Sequence, residues 1–174
     1  PAVLIAQGGR TFEAMVSPAR GRGFQELVEH LRSLEGVLTV GRHLADKLEG
    51  IGIPRPLTIE NPVDTHIFAP GHDGGKLRRR LGLGLGNPVA LHISKLSAIK
   101  RPLDIVSSAP LALAREPDLR YLIVGEGPLR ERMREEVFRR GIESSFIFTG
   151  WLAHREVAQC MNLASYLTAW RSLE

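Results

Sequence analysis

An α/β protein built on parallel sheets is what this sequence predicts, and three observations carry the expectation. Short aliphatic runs alternate with amphipathic stretches, the runs are too short and too β-branched for buried helices, and each is followed by a loop of glycine, proline or small polar residues. The 43% hydrophobic share of the 174 residues is ordinary for a folded chain and argues against disorder.

Val3 to Ala6 reads as a buried strand. Phe24, Leu27, Val28, Leu31 and Leu34 recur at helical spacing up to Gly36, which predicts a helix over 24–35 feeding a strand over 37–40. A second helix is expected over 42–49 and a short strand over 57–60. Residues 65–74 lose periodicity and contain Pro70, Gly71 and Gly74, the composition of a linker, so a boundary is placed between units 1–68 and 69–174. A basic helix over 76–81 opens the second unit. Strands follow at 89–93, 121–124, 146–148 and 166–168. The helices between them carry the buried stripes Leu103, Val106, Leu113, then Leu129, Met133, Val137, then Val157, Met161, Ala164. Pro110 lacks an amide hydrogen and is expected to bend or interrupt the first of these helices. The first strand begins almost at Pro1 and the last stops just short of Glu174. A doubly wound sheet would need more cover than that, so the sequence is expected to be a piece of a longer protein.

Charge and composition exclude several function classes. The 23 basic and 19 acidic side chains leave a net charge of +4, enough for an anionic small ligand and too little to imply nucleic acid. Cys160 is the single cysteine, so no internal disulfide framework exists, and a cytoplasmic setting is the expectation. The six histidines lack the i,i+4 spacing of a helical metal pair, and no metal is expected. Lys76 to Arg80 reads as a solvated helical face, with contact to a membrane or another protein as the alternative. His92 reads as a hydrogen-bonded core residue and Cys160 as a buried one.

Ligands of open parallel sheets bind beyond the carboxyl ends of the strands, so the post-strand loops are the candidate site. After Ile93 comes Ser94-Lys95-Leu96-Ser97-Ala98-Ile99-Lys100-Arg101-Pro102, cations at a helix start where backbone N–H groups and the helix dipole favour a diphosphate. Charge alone reads equally well as solvated loop lysines. After Val124 comes Gly125-Glu126-Gly127-Pro128, a tight turn that also suits a bare strand-to-helix connection. After Phe148 comes Thr149-Gly150-Trp151-Leu152. Gly150 would let a nucleobase approach the main chain there, and Trp151 reads better as a packing residue than as a ligand contact.

Four ordered stretches carry a resemblance. Ile59-Glu60-Asn61-Pro62-Val63-Asp64 through Phe68-Ala69-Pro70, His92-Ile93-Ser94-Lys95 through Lys100-Arg101-Pro102, Tyr121 to Pro128, and Phe148-Thr149-Gly150 together resemble the motifs of family 4 glycosyltransferases. The resemblance implies the GT-B fold, with a Rossmann-like remnant of the acceptor-side domain followed by part of the nucleotide-sugar-binding domain. It also implies transfer of a sugar from a UDP- or GDP-sugar with retention at the anomeric carbon, without a metal or other cofactor. The acceptor would be a carbohydrate, a lipid-linked molecule or a small molecule. A peripheral association with the inner face of the membrane is compatible with it, and nucleic acid is not an expected partner.

By the same resemblance Lys100 corresponds to the family's diphosphate-holding lysine. Lys95 stands where an arginine is usual, keeping charge but losing the planar bidentate fork. Glu174, after Trp170-Arg171-Ser172-Leu173, looks like the first of two glutamates, the one contacting the donor sugar; the second, contacting the ribose, would lie further on. The donor site implied is Ser94, Lys95, Lys100, Arg101, Gly125, Glu126, Gly127, Pro128, Gly150, Trp151, Leu152 and Glu174, with Lys100, Lys95 and Glu174 in catalytic roles. Gly41 replaces a common serine, and Gly8-Gly9-Arg10 reads as a simple turn. The resemblance implies that the first part of the acceptor domain, where the family usually supplies a catalytic histidine, is missing from this sequence, so the chain by itself is expected to be inactive. A sugar-nucleotide epimerase of GT-B fold and a non-catalytic nucleotide-binding module are the alternatives, with a nucleic-acid binder behind them.

Overall fold

The structure, a computed structural model, describes residues 3–6, 21–71 and 74–168. The chain divides between Val63 and Asp64 into two compact units.

The first unit is a three-stranded parallel sheet in the order β1 (Val3–Ala6), β2 (Gly36–Thr39), β3 (Leu57–Thr58). Among the described residues two helices, α1 (Arg22–Arg32) and α2 (Arg42–Gly50), lie between the strands. Val28 and Leu31 of α1, one helical turn apart, are buried with Val37, Leu48 and Ile53. That apolar stripe is why α1 holds although its N-cap, Gly21, offers no side-chain acceptor. Where α2 ends, the Arg32 Nε–H donates to the Gly52 carbonyl at 2.8 Å.

In the second unit four parallel strands stand in the order β6-β5-β4-β7. They are β4 (Val89–Ile93), β5 (Arg120–Val124), β6 (Phe146–Gly150) and β7 (Tyr166–Leu167). The helices are α3 (Gly75–Arg80), α4 (Pro102–Leu113), α5 (Arg130–Arg139) and α6 (His154–Leu163). Side chains alternate across the sheet, so β4 and β5 are buried on both faces. Ala90, Tyr121 and Ile123 pack with Val106 of α4 and Met133 of α5. Val89, Leu91, Leu122 and Val124 pack on the other face with Leu77 of α3 and Cys160 of α6. The Tyr121 and Phe146 rings stack at 4.6 Å between neighbouring strands. Burial raises the Tyr121 phenol above its usual range. It also pushes the Cys160 thiol up to about 11, with the Glu156 carboxylate adding to the shift.

Two expectations are corrected. Helix α4 runs unbroken through Pro110. The proline forfeits the bond its N–H would give the Val106 carbonyl, and the buried face of the helix, Val106 and Ala109, holds it in place despite that loss. Met161, expected in the buried stripe of α6, is exposed; Ala158, Cys160 and Leu163 take the inner positions. Glu156 on the same helix accepts a bond from Arg80 of α3 at 2.6 Å. The Arg80 hydrogen bond, and then the Ala153 amide, hold the Glu156 carboxyl below its usual range.

Candidate functional site

Strand order decides where a ligand site can form. From β4 the chain steps outward to β5 and β6, then returns to lay β7 on the opposite side of β4. The crevice beyond the carboxyl ends of β4 and β7 is therefore the switch point of the sheet, where successive connections diverge and leave a cleft.

Three loops meet beside it, stitched by main-chain hydrogen bonds. The Ser94 N–H donates to the Val124 carbonyl at 3.2 Å, and the Leu96 N–H to that of Glu126 at 2.9 Å. In return the Leu129 N–H donates to the Leu96 carbonyl at 3.0 Å, and the Gly125 N–H to that of Gly150 at 2.8 Å. The approach is close enough to require glycine. A Cβ at Gly125, whose φ is 128°, would run into the Ser94 carbonyl oxygen, and one at Gly127 would stand 2.7 Å from the Leu96 backbone nitrogen. Leu96 anchors the arrangement from below, fully buried against the face that carries Val106 and Met133.

The sequence-predicted residues separate into groups. Lys100 is exposed at the end of a single 3-10 turn (Ala98–Lys100) and lines a hollow with His92 and Thr168 at the switch point. Lys95 is exposed and is not among the residues lining that hollow. Arg101 adopts the left-handed conformation (φ 47°, ψ 45°), bridges Asp104 at 2.6 Å, and hands the chain to Pro102 at the start of α4. Glu126 Oε1 lies 3.5 Å from Arg130 Nε and directly beneath the place a Gly150 Cβ would occupy. Pro128 is exposed in the turn before α5. Trp151 is 76% exposed, so it is no packing residue. Leu152 packs instead, joining the core beside Leu77 and Leu163. Glu174, Trp170 and Gly8-Gly9-Arg10 lie outside the described residues.

His92 is the component whose reach the sequence did not show. It is buried, as expected for a core residue, and both ring nitrogens are engaged: Nδ1 lies 3.1 Å from the Thr168 carbonyl and Nε2 2.8 Å from Ser94 Oγ. Burial lowers its pKa and the nearby Lys100 charge lowers it further, against the opposing Thr168 carbonyl. The hollow itself, about 960 Å³, continues from Lys100 along α4 to Leu119 and is walled largely by apolar side chains such as Ile105, Leu111 and Tyr121. Lys100 and Arg101 bring cations to the rim at the strand exits, and Arg115 stands at the far end of the hollow.

Residues 74–171, more than half of the sequence, match the family described as glycosyl transferases group 1. The chain belongs to that family. All the loops above fall within the matched region of this group 1 glycosyltransferase chain. Over 91 residues it is 36% identical to the 2-deoxystreptamine N-acetyl-D-glucosaminyltransferase of Streptomyces fradiae, an alignment covering 51% of this chain and 22% of that one. Over 107 residues it is 34% identical to the D-inositol 3-phosphate glycosyltransferase of Acidothermus cellulolyticus, covering 60% and 23%. Thus the matched part spans under a quarter of the length of these relatives. The group 1 chain also shares its fold with Anabaena Alr3699/HepE, solved in complex with UDP-glucose, at a TM-score of 0.71 and 20% identity over 97% of this chain and 46% of that one. Its parallel α/β sheets are thus of the GT-B type.

Proposed function

We propose that the whole protein is a retaining, family 4 hexosyltransferase that moves a sugar from a UDP- or GDP-sugar to a hydroxyl of a carbohydrate, lipid-linked or small-molecule acceptor. The observation that carries this is Lys100 at the switch point beside His92 and Thr168, with the loop after β5 bonded to the β4 exit through Glu126 and Leu129 and Gly150 bonded in turn to Gly125. The glucosaminyltransferase and inositol phosphate glycosyltransferase relatives, and the UDP-glucose complex of the structural neighbour, support the same direction.

In this mechanism the Lys100 ammonium neutralises charge developing on the departing diphosphate. A well-placed donor of this kind is worth about 3 to 4 kcal/mol in a water-poor site. Lys95 adds a second, more solvated cation, and the N–H groups at the start of α4 complete the anion cradle. Arg101, held by Asp104, shapes the turn that presents Lys100. Trp151, exposed at the exit of β6, offers its indole face to the nucleobase. Glu174 would accept from sugar hydroxyls, and no step needs a metal. The proposal sets the protein on the cytoplasmic side, in peripheral contact with the membrane. Two of the four cations of α3 are engaged internally, Arg78 with the Gly84 and Asn87 carbonyls and Arg80 with Glu156. Among the described residues no helix is long and apolar enough to cross a membrane.

The test is calorimetric titration of the whole protein and its Lys100→Ala variant with UDP and GDP, alongside turnover. The variant is expected to lose at least tenfold in affinity for the preferred nucleotide and more in turnover. Unchanged affinity and turnover would defeat the assignment.

A further inference from the structure

The hydrogen bonds around His92 determine which way a neighbouring hydroxyl points. Nδ1 faces the Thr168 carbonyl at 3.1 Å, and a carbonyl can only accept, so Nδ1 carries a proton. Nε2 faces Ser94 Oγ at 2.8 Å. The ring is buried, and Lys100 is the charged side chain that acts on it. An imidazolium is disfavoured in that setting, so Nε2 is bare and accepts. The Ser94 hydroxyl proton therefore points inward to the ring. The alternative partner of that proton, the Lys95 carbonyl, is further away at 3.2 Å, and choosing it would leave two lone pairs facing each other across 2.8 Å.

We infer that His92 is a positioning residue which fixes the half-buried Ser94 hydroxyl as a hydrogen-bond acceptor at the exit of β4, beside the hollow that Lys100 and His92 line, so that Ser94 meets a ligand hydroxyl and not a phosphate oxygen. The inference rests on the crevice being the donor site. It narrows that reading: Ser94 falls outside the anion cradle, which is left to Lys100, Lys95 and backbone amides. A nucleotide sugar carries the required hydroxyls on its ribose and on its sugar. Because His92 also holds the chain leaving β7 through Thr168, it ties two strand exits 76 residues apart to the same hydroxyl.

Two measurements test this. Long-range proton–nitrogen NMR of the histidine side chains at pH 7.5, with His92 assigned through a His92→Gln variant, is expected to show Nδ1 protonated and Nε2 bare. A proton on Nε2 would overturn the inference whatever the ligand data show. Titration of the whole protein with UDP-glucose, UDP and inorganic pyrophosphate then reads the Ser94→Ala variant. Loss of one hydrogen bond should weaken UDP-glucose about fivefold and pyrophosphate less than twofold. A fivefold loss for UDP as well assigns the ribose as the source of the hydroxyl, and a loss confined to UDP-glucose assigns the sugar. Equal losses for all three ligands, or none for any, would overturn it. Lys100→Ala, expected to weaken all three, separates the two claims: if it weakens none, the donor-site reading fails, and the tautomer decides the role of His92 by itself.

Discussion

Replacing Gly125 with alanine should unfold the second unit far more readily than the same change at Gly141, and the difference can be worked from the backbone. Gly141 has φ 65° and nothing within 4 Å of an added Cβ, so Gly141→Ala suffers only the left-handed strain of an L-residue, about 1 to 2 kcal/mol. Gly125 has φ 128°, also a conformation L side chains rarely adopt, at about 1 to 3 kcal/mol. Its Cβ would in addition overlap the Ser94 carbonyl oxygen, with the Ser94 carbonyl carbon at 3.1 Å. Backbone on both sides leaves no side chain to swing away, so the β4 and β5 exits must part. Parting them strains the Ser94-to-Val124 and Leu96-to-Glu126 bonds, each worth about 1 kcal/mol. Gly125→Ala is therefore expected to cost about 3 to 5 kcal/mol. Urea denaturation followed by tryptophan fluorescence suits the measurement, since Trp151 and Trp170 both belong to the 64–174 unit. Equal losses at the two positions would refute the idea that the loops are in backbone contact.

Cys160, buried with its thiol pushed up to about 11, should resist a disulfide exchange reagent at pH 8 in the native protein and react at once in urea; fast native labelling would contradict its burial. The folded-state pKa of His92 lies below its ordinary 6.5, so the unfolded chain binds a proton that the native ring refuses. Stability should thus be full above about pH 6.5 and fall as the pH drops below it, and this part of the slope should vanish in His92→Gln when denaturation midpoints are compared across pH. At Arg101, Gly should be more stable than Ala by about 1 kcal/mol in thermal melts, because both lose the exposed Asp104 bridge while only glycine sheds the left-handed strain.

Alternation of strands and helices was legible because β4 and β5 are apolar on both faces and the helices α4, α5 and α6 between the strands carry apolar stripes. The candidate loops were legible through their order: glycines and cations after any one strand read equally well as a plain turn or solvated lysines, and it was four such stretches in sequence that singled them out. Contacts between loops were not. Whether Lys100 stands near the β7 exit depends on β7 lying beside β4, a pairing between Ala90 and Tyr166 that no local pattern encodes. His92 shows the same limit: the sequence marked it as a hydrogen-bonded core residue, but its partners, two and 76 residues away, follow only from the strand pairing. Met161 was misplaced by helical phase: positions 157 and 161 fit one stripe, but the packing of Cys160 and Leu163 rotates the buried side past it. The exposure of Trp151 reflects Leu152 taking the inward position beside Leu163.

The loops at the exits of β4, β5 and β6 are joined through backbone N–H groups and carbonyls, which every residue type but proline possesses. Side chains at positions 95, 98, 99, 128 and 151 project from this chassis without holding it up. Evolution can therefore exchange them to suit another nucleotide or sugar while the frame beneath stays intact, whereas the glycines that let the strands come together tolerate almost no change.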